Sequence, residues 1–172
     1  VAYSAQHAGL GETFDGNVKN ASVLHGFVDS DWSVLHSMTG FCMMLCGAAI
    51  LYGSKRQHAI ALSSTEAEVM AASHAALELV FLTGMLAEMG IVQTSTPVLY
   101  IDNSGALALA KDRRSCHKSK HIDRRYLKVR ELVEDAKMRV AAVPTDENPA
   151  DLFTKHLSWA KFDKFVKMIS GL

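Results

Sequence analysis

The chain has 172 residues and balances 18 Lys/Arg against 18 Asp/Glu, so it carries no net charge at neutral pH. A hydrophobic share of 49% and a charged share of 21% fit one globular domain with its own core and exclude a disordered tail or a fibrous repeat. No uncharged apolar run reaches ~18 residues and no leader-like start is visible, so the reading expects no membrane span and no signal peptide.

Residues 1–22 show no steady period and several Gly and Asn, and read as an irregular lead-in. "VLHGFVD" (Val23 to Asp29) reads as a buried strand. "GFCMMLCGAAILYGS" and then "QHAIALS" read as two further strands with glycine turns, Cys42 and Cys46 being small core residues of a strand. With Cys116 the cysteines are three, an odd count at no framework spacing, which suggests a reducing compartment. Ser63 and Glu66 stand at capping-box spacing and open a helix from Thr65 to about Met89, stopped by Gly90.

"PVLYID" (Pro97 to Asp102) is a further strand, followed by a short helix, "SGALALAK", and a basic loop. A helix "IDRRYLKVRELVEDA" and a last strand "KMRVAAVP" come next. In "ENPADLFTK", Asn148 suits an N-cap and Pro149 the first helical position. "SWAKFDKFVKMI" is an amphipathic helix ending at Gly171. Three consecutive strands imply an antiparallel meander, and the later strands, each separated by helix, must join by crossovers. The expected class is α/β with a mixed sheet. The expected division is a lead-in at 1–22, a domain at 23–157 and a C-terminal helix at 158–172.

Charge is uneven along this plan. Between Lys111 and Arg130 there are nine Lys/Arg against Asp112 and Asp123, half of all the basic residues. Such a block suggests a polyanion footprint, or a solvated helix face. Cys116, His117 and His121 lack a fourth zinc ligand, and their lysine neighbours oppose a cation, so no zinc site is expected there.

Four carboxylates stand where a folded chain normally avoids them. On a helical wheel Glu68, Ala72, Ala75, Leu79, Leu82 and Leu86 form one stripe, while Glu66, Ser73 and Glu88 point the other way. A carboxylate on a core-facing stripe is costly unless protonated, paired or bound to a metal. Asp29 and Asp102 each end an apolar strand, and Asp151 lies in the first turn of a helix. Singly, each aspartate has a plain role in a turn, a loop cap or a helix dipole. Together the four suggest a site for hard divalent cations, whose charge relieves their mutual repulsion. Two such ions ~4 Å apart can clamp the attacking and leaving oxygens of a phosphoryl transfer, and the basic block points to a nucleic-acid backbone.

The tracts "GFVDSDW", "TGF", "SKRQHAIALSSTEAEVMAAS", "LYIDNSGALALAKD", "HKSKHIDRRYLKVRELVE" and "VPTDENPADLFTKHL" resemble, in this order, the ribonuclease H domain of Ty1/copia-type retrotransposon Pol polyproteins. The resemblance implies a five-stranded mixed sheet, its first three strands antiparallel, flanked by helices. It implies an endoribonuclease that cuts the RNA strand of RNA–DNA hybrids with two Mg²⁺ ions, for which Mn²⁺ can substitute. The family's Asp-Glu-Asp-Asp quartet falls on Asp29, Glu68, Asp102 and Asp151 as metal-binding catalytic residues. Expected products carry 5′-phosphate and 3′-hydroxyl ends. Ser30, Ser64, Asn103 and Ser104 flank the carboxylates and are candidates for reading the 2′-hydroxyl. Lys118, Lys120, His121, Arg124 and Arg125 are candidate phosphate contacts. The implied partners are the hybrid and an upstream reverse transcriptase domain, with no membrane, in an intracellular setting: a cytoplasmic particle, the nucleus or both. The alternative is a drifted relic that binds nucleic acid without cutting it. A strand transferase of the same fold is a weaker reading, because those typically close the quartet with Glu.

Overall fold

The computed structural model describes residues 11–17, 23–104 and 120–172, with the backbone alone at 120–124 and 126. In chain order the elements are β1 (His25–Asp31), β2 (Met38–Leu45), β3 (Ala48–Arg56), α1 (Ser64–Glu88), β4 (Val98–Ile101), α2 (Lys120–Glu134) and β5 (Arg139–Ala142). Two 3-10 turns, Thr145–Glu147 and Pro149–Phe153, lead to α3 (Trp159–Ser170). The sheet runs β3-β2-β1-β4-β5. The β1/β2 and β2/β3 pairs are antiparallel, and the β1/β4 and β4/β5 pairs are parallel. This is the mixed α/β sheet that the order of elements implied. The expected helix "SGALALAK" lies outside the described residues.

The first hairpin corrects one expectation. Cys46 (φ 52°) and Gly47 (φ 83°) both adopt left-handed backbone and form the two-residue turn between β2 and β3. "GFCMMLCGAAILYGS" is therefore two strands, and Cys46 is a turn residue rather than a core residue of a strand; Cys42 is buried in β2. The third strand is complete at Arg56, so "QHAIALS" is an irregular link to α1 in which Ile60 and Leu62 are exposed. Gln57 anchors that link: its buried side-chain amide donates to Thr39 Oγ1 at 3.0 Å and to the Ala67 carbonyl at 2.9 Å.

α1 forms where the cap and the periodicity placed it. Ser63 accepts from the Glu66 N–H at 3.2 Å, and the Glu66 carboxylate reaches back to the Leu62 N–H at 2.7 Å. The helix ends before Gly90, which takes φ 81°. All six residues of the expected stripe are buried. Ser73 is buried too, contrary to the wheel, because α1 lies between the sheet and α2 and its first half is enclosed on most sides. By length and composition α1 could cross a membrane, yet it is the core helix of this domain and largely covered by its neighbours.

Alternation along the strands builds a core on each face of the sheet. Leu24, Val28, Met43, Leu99 and Ile101 pack with Leu79 and Leu82 of α1 and with Val129 and Leu132 of α2. On the opposite face Phe27, Cys42, Met44, Ala49 and Val143 meet Met168 and Ile169 of α3. Each fully enclosed Leu, Ile, Phe or Met contributes about 1.5–3 kcal/mol relative to an exposed one. α3 closes at Gly171 in the left-handed region (φ 73°), and the Ser170 carbonyl accepts from the Thr13 N–H at 2.7 Å.

Candidate active site

Strand register brings the first two aspartates together. β1 and β4 are parallel neighbours with Val28 paired to Ile101, so Asp29 and Asp102 are the next residues on adjacent strands. Glu68 lies in the first turns of α1, facing β1. The buried Ala71, Ala72 and Ala75 follow it, and their small side chains let the helix backbone approach the sheet. One carboxylate oxygen from each of Asp29, Glu68 and Asp102 lies within 4.8 Å of the others.

Burial sets the electrostatics. Asp29 is 1% exposed and Glu68 6% exposed, whereas Asp102 is half-buried. Glu68 Oε1 accepts from the Ser30 N–H at 3.3 Å, while Oε2 is buried with no protein partner. Burial, then the charges of Asp29 and Asp102, push the Glu68 carboxyl up to about 8. Burial also raises the Asp29 carboxyl, against the opposing pull of Thr154 and Lys155. Three hard oxygen donors at this spacing, on carboxylates of which one keeps a buried oxygen without a hydrogen-bond partner, fit a divalent cation such as Mg²⁺ or Mn²⁺.

Asp151 is held beside this group in a different way. It sits in the 3-10 turn Pro149–Phe153, shorter and tighter than the helix expected for "ENPADLFTK". Asn148 caps that turn by accepting from the Ala150 N–H at 3.2 Å, and its side-chain amide donates to the Val28 carbonyl at 3.0 Å. Gly40, the antiparallel partner of Asp29, lets the turn lie directly on β2. A Cβ at Gly40 would stand 2.6 Å from Thr154 Cγ2 and 2.8 Å from the Ala150 carbonyl oxygen. Asp151 is fully buried, and its Oδ1 accepts from Lys155 Nζ at 2.9 Å. Lys155 Nζ donates equally to Asp29 Oδ1 at 2.9 Å, and Lys161 Nζ donates to Asp151 Oδ2 at 2.8 Å. Thr154 Oγ1 donates to the other Asp29 oxygen. Burial alone would lower the Lys155 pKa, but the hydrogen bonds and charges of Asp29 and Asp151 outweigh it and hold the ammonium above the usual lysine range.

Sequence reasoning did not single out Lys155, Thr154 or Lys161 as site residues. The Asp151–Lys155 spacing of four was the available signal. Lys161 comes from α3 and had no such signature.

The candidate nucleic-acid contacts divide by setting. Ser30 is buried, and its backbone N–H donates to Glu68 Oε1. Ser64 and Ser104 are exposed and Asn103 is half-buried. Lys118 and the side chains of Lys120, His121 and Arg124 lie outside the described residues. Arg125 lines a recess of about 290 Å³ with Lys55, Arg56, His58 and His74. Thr39 lines it too, and Thr39 pairs with Ser30 across β1 and β2, so the basic recess begins beside the acidic group.

No protein-family model matches the chain. It is 38% identical over 151 residues to the retrovirus-related Pol polyprotein from transposon TNT 1-94 of Nicotiana tabacum, covering 86% of this chain and 11% of that protein. It is 34% identical over 154 residues to the corresponding polyprotein from transposon RE2 of Arabidopsis thaliana, covering 87% of this chain and 11% of the relative. The chain thus spans about a tenth of the length of these Pol polyproteins. Among solved structures, LC11-RNase H1 from a compost metagenome aligns with a TM-score of 0.58 at 12% identity, covering 86% of this chain and 96% of that one. RNase H1 of the archaeon Halobacterium salinarum aligns with a TM-score of 0.52 at 16% identity, over 76% and 93%. The foamy viral protease-reverse transcriptase in complex with RNA/DNA hybrid aligns with a TM-score of 0.54 at 10% identity, over 90% of this chain and 23% of that one. At these identities the structural matches speak for the fold. Over most of its length the chain is therefore a homologue of Ty1/copia-type retrotransposon Pol polyproteins, folded as a ribonuclease H domain.

Proposed function

We propose that the chain is a divalent-metal-dependent endoribonuclease that cuts the RNA strand of RNA–DNA hybrids within a retrotransposon Pol polyprotein. The observation that carries this reading is the meeting of one carboxylate oxygen each from Asp29, Glu68 and Asp102, beside which Glu68 Oε2 is buried without a hydrogen-bond partner. Asp29, Glu68, Asp102 and Asp151 would hold two Mg²⁺ ions. Bound there, such ions supply a water of lowered pKa and charge stabilisation of the departing 3′ oxygen.

The chain's own residues do the remaining work. Glu68 gives up the proton that burial favours and, with Asp29 and Asp102, presents ionised oxygens to the cations. Ser30 holds Glu68 through its N–H. Ser64, Asn103 and Ser104 read the RNA 2′-hydroxyl, and the Lys55–Arg56–Arg125 recess receives the phosphates of a strand. Lys118, Lys120, His121 and Arg124, in the same basic stretch of sequence, are further candidate phosphate contacts. The relatives are Pol polyproteins and a fold neighbour carries a reverse transcriptase, which supports an upstream reverse transcriptase domain as partner. The place of action on this reading is an intracellular particle or the nucleus.

The test uses an end-labelled RNA–DNA hybrid with Mg²⁺ and then with EDTA. Cleavage of the RNA strand only with metal, lost in Asp102→Asn, is the expected result. A gel shift without cleavage at millimolar Mg²⁺ would assign the chain to the binding-only alternative instead.

A further inference from the structure

The last carboxylate of the quartet already has cations, and the protein supplies them. Among the described residues the metal-competent group contains Asp29, Glu68 and Asp102, and does not include Asp151. Both Asp151 oxygens are taken by ammonium groups, Oδ1 by Lys155 and Oδ2 by Lys161. Lys155 also bonds Asp29 Oδ1, so one ammonium bridges the first and last carboxylates of the quartet. Asp29 and Asp151 are 1% exposed at the side chain, and two buried negative charges at this spacing require a compensating positive one. Lys155 is 35% exposed, so its flexible stem has a path to solvent. Lys161 touches Asp151 and the exposed Asp146 but not Asp29, and it is anchored on a different element, α3.

We propose that Lys155 is a built-in, displaceable counter-cation of the Asp29–Asp151 pair, so that the two cation positions of this chain fill unequally. The position served by Asp29, Glu68 and Asp102 fills first, and a second divalent ion gains Asp151 only as Lys155 withdraws. Lys155 is then a positioning residue that keeps Asp151 beside Asp29 while the second ion is absent. This inference rests on the metal-centre reading above and deepens it.

The experiment is a Mn²⁺ titration of the whole chain, with free Mn²⁺ counted by its paramagnetic resonance signal, alongside thermal melts in EDTA and in saturating Mn²⁺. The parent should bind one ion tightly and a second at least about tenfold more weakly, a gap of ~1.4 kcal/mol. In Lys155→Met the second ion should tighten by about tenfold, and by more than the first, which shares only Asp29 with Lys155. The same variant should melt lower than the parent in EDTA and draw level in saturating Mn²⁺. Lys161→Met should tighten the second ion less, since it leaves the Lys155 bridge in place. If Lys155→Met does not fold, Lys155→Gln retains a hydrogen-bonding head without the charge and should show the same tightening. Unchanged second-ion affinity in the folded variant overturns the role of Lys155 while leaving the metal centre standing. A parent that binds no Mn²⁺ at millimolar concentration overturns the metal centre and the inference together.

Discussion

The side-chain amide of Asn148 donates to the main-chain carbonyl of Val28 across 120 positions of sequence, at 3.0 Å. Val28 immediately precedes Asp29, and Asn148 caps the turn that carries Asp151. One buried amide therefore sets the position of the last carboxylate relative to the first. Asn148→Ala removes the cap and leaves the Val28 carbonyl without this donor. The expected cost is about 1–3 kcal/mol of unfolding free energy. Denaturant melts measure it, and a loss below about 0.5 kcal/mol would contradict the proposed pin.

Gly40 has a packing role on the same side. Its missing side chain is where the Pro149–Phe153 turn rests on β2. Gly40→Ala must push Thr154 and the Ala150 carbonyl away, carrying Asp151 and Lys155 with them. We expect about 1–3 kcal/mol of destabilisation from this overpacking. The cleavage rate should fall further than the folded fraction does. Equal losses in the two measurements would show that the turn can shift without moving Asp151.

Glu68 gives the metal-free protein a pH dependence of definite sign. Burial and the charges of Asp29 and Asp102 push its carboxyl up to about 8 in the fold, from an ordinary value of 4.5 in the unfolded chain. Below the unfolded value both states are protonated and Glu68 contributes nothing. Between the two values the unfolded chain ionises first, so folding is penalised increasingly as pH rises. Above about 8 the penalty is complete, on the order of a few kcal/mol. In EDTA the parent should melt progressively lower from pH 5 to pH 8.5. Glu68→Gln should flatten that fall and melt higher than the parent at pH 8.5, while losing cation binding. Parallel melting curves for the two proteins would remove this account.

The basic recess makes a salt-dependent prediction. If Lys55 and Arg125 meet phosphates, each alanine replacement should weaken hybrid binding across sequences and lower the slope of log affinity against log salt by about 1. Fluorescence anisotropy from low to high NaCl measures the slope in Ca²⁺, which lets binding be read apart from cutting. An unchanged slope in the Lys55→Ala, Arg125→Ala double variant would place the strand elsewhere.

Much of this was legible in the sequence for physical reasons. Glu68 conflicted with the apolar stripe it occupies, and the conflict marked the site. Ser63, Glu66 and Gly90 fixed the helix ends because their chemistry is local. The Cys46-Gly47 turn was illegible because a cysteine at positive φ carries no turn signature, so the hairpin was missed and the third strand assigned too late. The burial of Ser73 reflects the second layer packed on α1, which a single-helix wheel cannot contain. The ammonium groups on Asp151 depend on how far Lys155 and Lys161 reach once the turn and α3 are in place. Periodicity and propensity do not encode that reach.

The parallel pairing of Val28 with Ile101 has an evolutionary corollary. The separation of the two aspartates that follow is measured out by neighbouring main chains, about 4.8 Å from strand to strand. Such a ruler is indifferent to which apolar side chains surround it, provided volume and alternation are kept. Mutation can rewrite nearly the whole interior of this lineage and leave the gap between those carboxylates intact. Inserting or deleting a single residue between Val98 and Asp102 would spoil it at once, by turning Asp102 to the far side of the pleat.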